Sequence, residues 1–421
     1  MAIWGLGNLL FALILVGGVA GHPSCGFPAI YSFGDNNSDT GEHAAMFADV
    51  GLPNGQTFFH GPSGRYSDGR VIIDFIAEAF GFPFLSAYLD SYKTNYRHGA
   101  NFALGGSAIR GGHGFTKNQS AKSILPRPEE FRKSLFIIDV GQNDFAFDLQ
   151  HTSLEDTRKQ IPEMVKSLVE PISTFLIGRY EARHLVIHNI GPFGCLPYHI
   201  KSYQKKNSTC ALDQYGCVKE LNEAVQEFNR QLKLKIAEAR KANPNATITY
   251  VDVYSAKYNL ISNAKNLGFE DPMKFCCGSY NDQYIRCGEQ DSNGKLIGTA
   301  CNDPSKYISW DGIHYTDAAN KLVAKHILNG SLSDPPVSYA EACRFEDPMK
   351  FCCGSYNDQY IRCGEQDSNG KLIGTACNDP SKYISWDGIH YTDAANKLVA
   401  KHILNGSLSD PPVSYAEACR I

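Results

Sequence analysis

The sequence carries little excess charge of either sign. Its 421 residues include 40 Lys and Arg against 44 Asp and Glu, a formal net charge of −4, and the basic residues are spread along the chain. Binding to nucleic acid or to an anionic membrane surface requires clustered positive charge. We therefore expect neither of these as a partner.

Long apolar runs are missing after the first twenty residues, so no later segment is long enough to cross a bilayer. Residues 1–20 differ, because an apolar stretch from about Leu9 to Val19 leads into small residues at Gly18 and Ala20, the pattern of a cleaved secretory leader. No Lys or Arg precedes the stretch, so an uncleaved anchor stays an alternative. We expect a secreted protein whose mature chain begins near Gly21.

Paired C-x2-C spacings, typical of a structural zinc site, are lacking among the 14 cysteines. In a secreted chain cysteines favour disulfides, because the compartment is oxidising. If only one copy of the repeat described next is counted, the mature chain has an odd number of cysteines, so one thiol is expected to stay unpaired or to pair elsewhere. Asn-x-Ser/Thr sequons also fit an extracellular glycoprotein. They begin at Asn36, Asn118, Asn207, Asn245, Asn329 and Asn405.

One long segment occurs twice. Residues 269–344 are followed by the same sequence, letter for letter, at 345–420. Repeat architectures consist of diverged units of about 20 to 50 residues, so this copy indicates a recent duplication or a gene-assembly error. The two copies compete for one docking place, and proximity favours the first only slightly. We expect a leader at 1–20, a main domain at 21–344 and a redundant copy at 345–420 whose apolar face is poorly covered.

Four short apolar runs rich in β-branched residues predict buried parallel strands. They span Ala29–Phe33, Leu135–Val140, Leu185–Ile190 and Thr247–Val253. Apolar residues at helical spacing predict helices between the strands, among them Leu154–Ile177 and Val218–Ala242. Strands that alternate with helices indicate an α/β fold with helices on both faces of the sheet.

The segment after Asp311 predicts a closing helix, with Thr316 as its N-cap and Gly330 just past its end. In open α/β sheets, ligands bind beyond the carboxyl ends of the strands. The loops expected there, FGDNNSDTG, VGQNDF and NIGPFGC, are rich in Gly and Asn. We expect the chemistry of the protein in these loops.

Six motifs follow one another along the chain. They are FGDNNSDTG at 33–41, PSGRYSDGRVIIDFIAE at 62–78, HGANFALGGSAI at 98–109, DVGQNDF at 139–145, HNIGPFGCLP at 188–197 and WDGIHYT at 310–316. Together they resemble the plant GDSL esterase/lipase family of the SGNH hydrolase superfamily, over residues 27–344. The resemblance implies a three-layer α/β/α fold with a mainly parallel, flavodoxin-like central sheet. It also implies a secreted plant hydrolase of carboxylic esters, located in the apoplast or cell wall, that uses Ser-His-Asp chemistry and no metal or cofactor.

The resemblance further implies a role for particular residues. They are Asn36 at the nucleophile position, Gly106 and Asn143 as oxyanion donors, His314 as general base, Asp311 as its orienting partner, and Asp387 with His390 as the duplicate of that pair. The residue types suit these roles, because His exchanges protons near neutrality and a carboxylate can hold its tautomer. One amide donor to an oxyanion is worth about 3 kcal/mol. Taken singly, each position also fits a turn or a helix cap.

Asn36 conflicts with the implied reaction. An amide has no ionisable oxygen or thiol, so His314 cannot activate it to attack a carbonyl carbon. A triad without its nucleophile retains only about 10³-fold catalysis over water. Ser38 and Thr40 lie too far along the loop to replace it, and we expect them to cap the next helix. Ester hydrolysis is therefore expected to be strongly impaired.

Two alternatives stand beside an impaired hydrolase of acyl or acetyl esters of lipids or plant glycosides. The first is a secreted binding protein that holds an ester or carboxylate in the same pocket without cleaving it. The second is the product of a decayed or mis-assembled gene. Residues 111–124 also form a shorter segment than the helical region that the family carries there, so we expect a reduced substrate pocket.

Overall fold

A computed structural model describes residues 27–335 apart from 48–49, 91–93, 95, 111–127 and 281–282, and in the second copy residues 352–400 with short gaps. The strands are β1 Ile30–Gly34, β2 Gly99–Asn101, β3 Leu135–Asp139, β4 His184–His188, β5 Thr247–Val251, β6 Ser279–Tyr280, β7 Tyr284–Ile285, β8 Ser333–Asp334, β9 Ser355–Asn357 and β10 Gln359–Ile361. The helices are α1 Glu42–Met46, α2 Ile72–Ala79, α3 Pro128–Lys133, α4 Gln142–His151, α5 Leu154–Pro171, α6 Pro197–Lys206, α7 Lys219–Ala242, α8 Val253–Ser262 and α9 Asp317–Leu328. The expected leader, the segment 111–124 and the junction at 344–345 lie outside the described residues.

The central sheet has six strands in the order β2-β1-β3-β4-β5-β8. The first five run parallel, and β8 pairs antiparallel with β5 at the edge. The order 2-1-3-4-5 is the flavodoxin-like one. Among the flanking helices α5 packs on α7, while α9 packs on both α2 and α8. The expected α/β fold with a mainly parallel sheet is confirmed.

All four predicted strands exist, with ends that differ by one or two residues. The last of them, β5, ends at Val251 instead of Val253, because the Asp252 carboxylate accepts the Ser255 N–H at 3.0 Å and begins α8. Strands β2 and β8 were not predicted. They contain three and two residues, too few to show a periodic pattern.

The closing helix begins and ends as predicted. Thr316 Oγ1 accepts the Ala319 N–H at 3.2 Å, and Gly330 follows the helix with φ +75°. The prediction of a helix at Leu154–Ile177 is only partly correct. The α-helix ends at Pro171 and continues as a wider π-helix over Ile172–Arg179.

Disulfides form within each copy of the repeat and not between the copies among the described cysteines. Cys276–Cys301 and Cys277–Cys287 join the first copy, and Cys352–Cys377 and Cys353–Cys363 join the second in the same pattern. Cys195–Cys217 lies outside the repeat. Among the described cysteines Cys210 is a free thiol, in agreement with the odd cysteine expected from the sequence.

Within the described residues, no helix combines the length and the apolar character that a bilayer-spanning segment needs.

Candidate active site

Asn36 lies in a tight loop at the carboxyl end of β1. The Asp35 carboxylate accepts hydrogen bonds from the backbone N–H and from the side-chain amide of Asn37, each at 3.0 Å. The Asp35 N–H donates to the carbonyl of Asp139 at the end of β3 (3.2 Å), and the Ser38 N–H donates to the Asp35 carbonyl (3.1 Å). These bonds fix the backbone on both sides of Asn36.

The expectation that Ser38 and Thr40 cap the next helix is wrong. Ser38 Oγ donates to the Asp139 carboxylate at 3.0 Å, and Thr40 Oγ1 donates to a backbone carbonyl of a neighbouring loop at 2.8 Å. The carboxylate of Asp39 accepts the N–H of Glu42, the first residue of α1, at 2.7 Å instead. A carboxyl group offers two acceptor oxygens, and Asp39 uses both, because its second oxygen accepts the His43 N–H at 3.1 Å.

Two donors, one from the loop after β2 and one from the first turn of α4, meet at the side-chain oxygen of Asn36. The Gly106 N–H donates to Asn36 Oδ1 at 2.8 Å, and Asn143 Nδ2 donates to the same oxygen at 3.0 Å. Asn143 Nδ2 also donates to the Ser107 carbonyl at 2.9 Å, which orients its amide. These residues meet because the segments that carry them follow β2, β1 and β3, which are neighbours in the sheet. Two convergent donors are the arrangement that stabilises an oxyanion, and here the Asn36 carbonyl oxygen lies between them.

Two carboxylates that the sequence interpretation did not single out hold the donor loop in place. Asp144 accepts the N–H of Ile109 at 2.8 Å and that of the following residue at 3.1 Å. Asp39 accepts the N–H of Gly105 at 2.7 Å. The loop that carries Gly106 is therefore tied both to the first turn of α4 and to the Asn36 loop. Asp39 lies in the motif FGDNNSDTG and Asp144 in the motif DVGQNDF. Membership of these motifs is the sequence signal that could have identified them.

Glycine is required at two adjacent positions of the donor loop. Gly106 has φ +88°, a conformation that other residues rarely adopt. A Cβ on Gly105 would lie 2.9 Å from the Tyr66 ring, closer than real Cβ contacts. The donor N–H can point at Asn36 because both residues lack side chains.

Asp311 and His314 form a buried pair on the loop before α9. His314 Nδ1 lies 2.6 Å from Asp311 Oδ2, and Asp311 Oδ1 accepts the N–H groups of Ile313 at 2.9 Å and of His314 at 2.8 Å. Burial disfavours the charged carboxylate, but His314 and these N–H groups outweigh it and hold the pKa of Asp311 below its ordinary value. The ionised carboxylate therefore orients the imidazole for proton exchange at its other nitrogen.

Tyr66 links this pair to the donor loop. Its ring lies over the His314 ring, with centroids 5.0 Å apart, and it also packs against Gly105. Burial, followed by the charges of Asp39 and Asp311, raises the pKa of Tyr66, so the phenol is neutral at neutral pH. One aromatic side chain thus contacts both halves of the site.

His199 is a second imidazole close to the pair, and the sequence interpretation did not identify it. Its ring stacks on Phe193 with centroids 4.0 Å apart. Burial, followed by the charge of His314, lowers the pKa of His199 to about 3. His199 therefore stays neutral near pH 7, with its ring stacked on Phe193 beside the site.

A buried cluster of titratable side chains, Asp35, Asp139, His188 and Lys257, lies under the Asn36 loop. His188 Nδ1 is 3.7 Å from Asp139 Oδ2. Burial, then the Asp139 charge, raises the pKa of Asp35 to about 7, whereas His188 and Lys257 outweigh burial and hold the pKa of Asp139 below its ordinary value. Burial lowers the pKa of Lys257. The sequence interpretation did not predict this cluster.

The duplicate pair keeps its local geometry but not its surroundings. His390 Nδ1 lies 2.8 Å from Asp387 Oδ2, as in the first copy. The His390 side chain is 74% exposed, however, against 9% for His314. The structure therefore places His314 against Tyr66 and its duplicate His390 in solvent.

The arrangement can move a proton at His314 and can stabilise negative charge between Gly106 and Asn143. At position 36 it presents an amide, which is not a nucleophile at neutral pH. In the part of the chain that the structure describes, no group of three or more His, Cys, Asp or Glu side chains is placed to hold a metal ion.

Comparison with known proteins gives consistent similarities. A profile of the GDSL-like lipase/acylhydrolase family matches residues 30–327. GDSL esterase/lipase At5g14450 of Arabidopsis thaliana is 44% identical over 370 residues, which cover 80% of this chain and 94% of that protein. GDSL esterase/lipase At3g27950 of the same plant is 44% identical over 347 residues, 76% and 92% of the two chains. GDSL esterase/lipase ACHE of Zea mays is 41% identical over 359 residues, 76% and 89% of the two chains.

Proposed function

The chain belongs to the GDSL-like lipase/acylhydrolase family, and from this premise we propose that it is a hydrolase of carboxylic esters by descent in which Asn36 stands at the nucleophile position. The observation that supports the proposal is the convergence of the Gly106 N–H and Asn143 Nδ2 on the side chain of residue 36. Donors at 2.8 and 3.0 Å from one oxygen are the geometry expected around the carbonyl of a bound ester.

The proposed roles follow from the chemistry of each group. His314 would take the proton of a serine at position 36 and later return it to the leaving alcohol, while Asp311 holds the imidazole through Nδ1. The Gly106 N–H and the Asn143 amide would stabilise the oxygen of the tetrahedral intermediate. Asn36 cannot form the covalent acyl intermediate, so turnover of esters is very low.

Three finer features belong to the same proposal. The substrates are acyl or acetyl esters of lipids or plant glycosides. The protein is secreted to the apoplast or cell wall, which the disulfides support because they form in oxidising compartments. Residues 21–344 form the working domain, and 345–420 are redundant.

Restoring the nucleophile tests the proposal. Asn36→Ser in the full chain should hydrolyse p-nitrophenyl acetate or butyrate at least about 10³-fold faster than the parent protein. Asn37→Ser, which places a hydroxyl one residue away, is the matched control and should gain nothing. Adding His314→Ala to Asn36→Ser should remove the gain.

Two results would contradict this function. One is ordinary esterase turnover by the parent protein that His314→Ala abolishes. The other is a folded Asn36→Ser protein with no gain, which would indicate a substrate pocket too reduced for catalysis. The alternative of a non-cleaving binding protein uses the same two donors, and a ligand can reach them only when Asn36 Oδ1 moves out of their reach.

A further inference from the structure

The geometry points to Asn36 as a self-modification site: the site hydrolyses the side-chain amide of Asn36, which leaves an aspartate at position 36 and releases ammonia. The inference rests on the roles proposed above for the Asp311–His314 pair and the two donors. It concerns an amide of the chain itself instead of an external ester.

The first argument is the place of the Asn36 carbonyl. In ester hydrolysis through a serine, the acyl group is attached to the nucleophile with its carbonyl oxygen between the two donors, and water then attacks the carbonyl carbon. Here Asn36 Cγ carries an oxygen held by the same donors at 2.8 and 3.0 Å. The amide therefore resembles an acyl intermediate that is one atom shorter and permanently in place.

The second argument is access for water and for a base. Asn36 is only partly buried and Gly106 is exposed, so solvent reaches this part of the site. His314 is oriented by Asp311 and packs on Tyr66, whose ring also contacts Gly105 beside the donor. The base and the loop that holds the Asn36 carbonyl therefore contact the same aromatic ring.

The reaction needs water as its only co-reactant. His314 takes a proton from water as the water oxygen bonds to Asn36 Cγ, and the charge that develops on Oδ1 is stabilised by the two donors. His314 then gives the proton to Nδ2, the Cγ–Nδ2 bond breaks and ammonia leaves. No oxidation or reduction occurs, and the carboxylic acid that forms ionises at neutral pH.

The ordinary route of asparagine deamidation is disfavoured at this position. In that route the backbone nitrogen of the next residue attacks the amide carbon, and the succinimide that forms opens to a mixture of aspartate and isoaspartate. The Asn37 N–H donates to Asp35 Oδ1 at 3.0 Å, which holds this nitrogen in the turn. Attack by water gives aspartate alone, so the product isomer identifies the route.

The size of the effect can be estimated for single groups. A positioned general base contributes about 10²- to 10⁴-fold, and one oxyanion donor about 10²- to 10³-fold. We therefore expect His314→Ala and Asn143→Ala each to slow the conversion at least ~100-fold. The reacting amide belongs to the chain itself, so the reaction needs no external substrate and happens once per chain.

The experiment follows position 36 in the purified full chain. The folded protein is incubated at neutral pH in ¹⁸O-labelled water, and the peptide that contains Asn36 and Asn37 is analysed by mass spectrometry with separation of aspartate from isoaspartate. We expect progressive loss of the Asn36 amide, or its loss before purification, with aspartate as the only product and one labelled oxygen in whatever converts during incubation. Asn37 in the same peptide should keep its amide and serves as internal control.

Two results would overturn the inference. One is an Asn36 amide that persists in the folded parent protein. The other is a mixture with isoaspartate that forms equally fast in His314→Ala, whose folding is checked by thermal melting. Failure of the proposed function is separable. A gain of esterase activity in Asn36→Ser together with a persistent parent amide overturns only the inference. Conversion in the parent that depends on His314, together with an inactive Asn36→Ser, overturns only the proposed function.

Discussion

The two copies of SWDGIHYT, at 309–316 and 385–392, have one sequence and two environments. Both copies make the same local hydrogen bonds. The backbone N–H of the Trp donates to the backbone carbonyl of the His, at 2.8 Å in the first copy and 2.7 Å in the second. The Asp carboxylate accepts the same two backbone N–H groups in each copy. The Asp-x-x-His turn is therefore encoded by its own residues.

The difference lies in what covers the turn. In the first copy Trp310 Nε1 donates to Asn54 at 2.9 Å, and the Gly312 carbonyl accepts the Tyr198 N–H at 3.0 Å. In the second copy Ile389 and Tyr391 are 75% and 55% exposed. The comparison shows that local sequence builds the pair and that neighbours from elsewhere in the chain turn it into part of a site.

The largest expected contrast concerns catalysis. In an Asn36→Ser background, His314→Ala should lower kcat by ~10³-fold or more, because the base is lost. His390→Ala should leave kcat unchanged, because its ring lies in solvent. Esterase kinetics on both variants checks this, and a loss in His390→Ala alone would mean that the second copy supplies the base.

The next contrast concerns packing. Trp310 is fully buried, whereas Trp386 is only partly buried. Trp310→Ala should lower the free energy of unfolding by about 3–5 kcal/mol, and Trp386→Ala should affect the main transition much less. Thermal unfolding of both variants measures the difference. A larger loss from Trp386→Ala would reverse the assignment of the covered copy.

A smaller contrast is expected at the start of the closing helix. Asp317 accepts both the N–H and the side chain of Arg70, at 2.7 and 3.0 Å, and both side chains are largely buried. Asp393 pairs with Lys397 in solvent. Asp317→Ala should cost about 3 kcal/mol, because it leaves Arg70 without its buried partner. Asp393→Ala should stay within about 0.5 kcal/mol of the parent in chemical denaturation.

The smallest expected effect depends on pH. The pKa of His199 is lowered to about 3 in the folded protein. Between this value and about pH 6.5 the unfolded chain binds a proton that the folded chain does not, so His199 makes stability fall as pH falls. From pH 6.5 to 5 the parent should lose about 1.6 kcal/mol relative to His199→Phe. If the free energy of unfolding of the two proteins changes with pH in the same way, His199 is not a buried neutral imidazole.

Much of the fold was predictable because its signals are local. The apolar runs identified four strands of the sheet, and Thr316 and Gly330 marked the ends of α9. The predictions fail where the hydrogen-bond partner of a side chain lies far away in the sequence. Ser38 was expected to cap α1, but it binds Asp139 on the neighbouring strand, 101 positions away.

In the candidate site, too, the individual residues could be identified from the sequence but their contacts could not. The motifs identified Asn36, Gly106 and Asn143 one by one, yet nothing in the sequence places the Asn36 oxygen between the other two. That contact requires β2 and β3 to pair with the two edges of β1, so that their loops leave the sheet side by side. Asp144 and Asp39 went unrecognised because they act on backbone groups 35 and 66 positions away.

The sequence by itself determined the alternation of strands and helices, the Asp-x-x-His turn in both copies and the amide at position 36. The alternation is visible in the local side-chain pattern, and the turn depends on bonds between residues two and three positions apart. Only the tertiary structure decided which copy is buried against Tyr66 and that the Asn36 carbonyl occupies the donors. Both depend on surfaces that meet only after the parallel strands have paired.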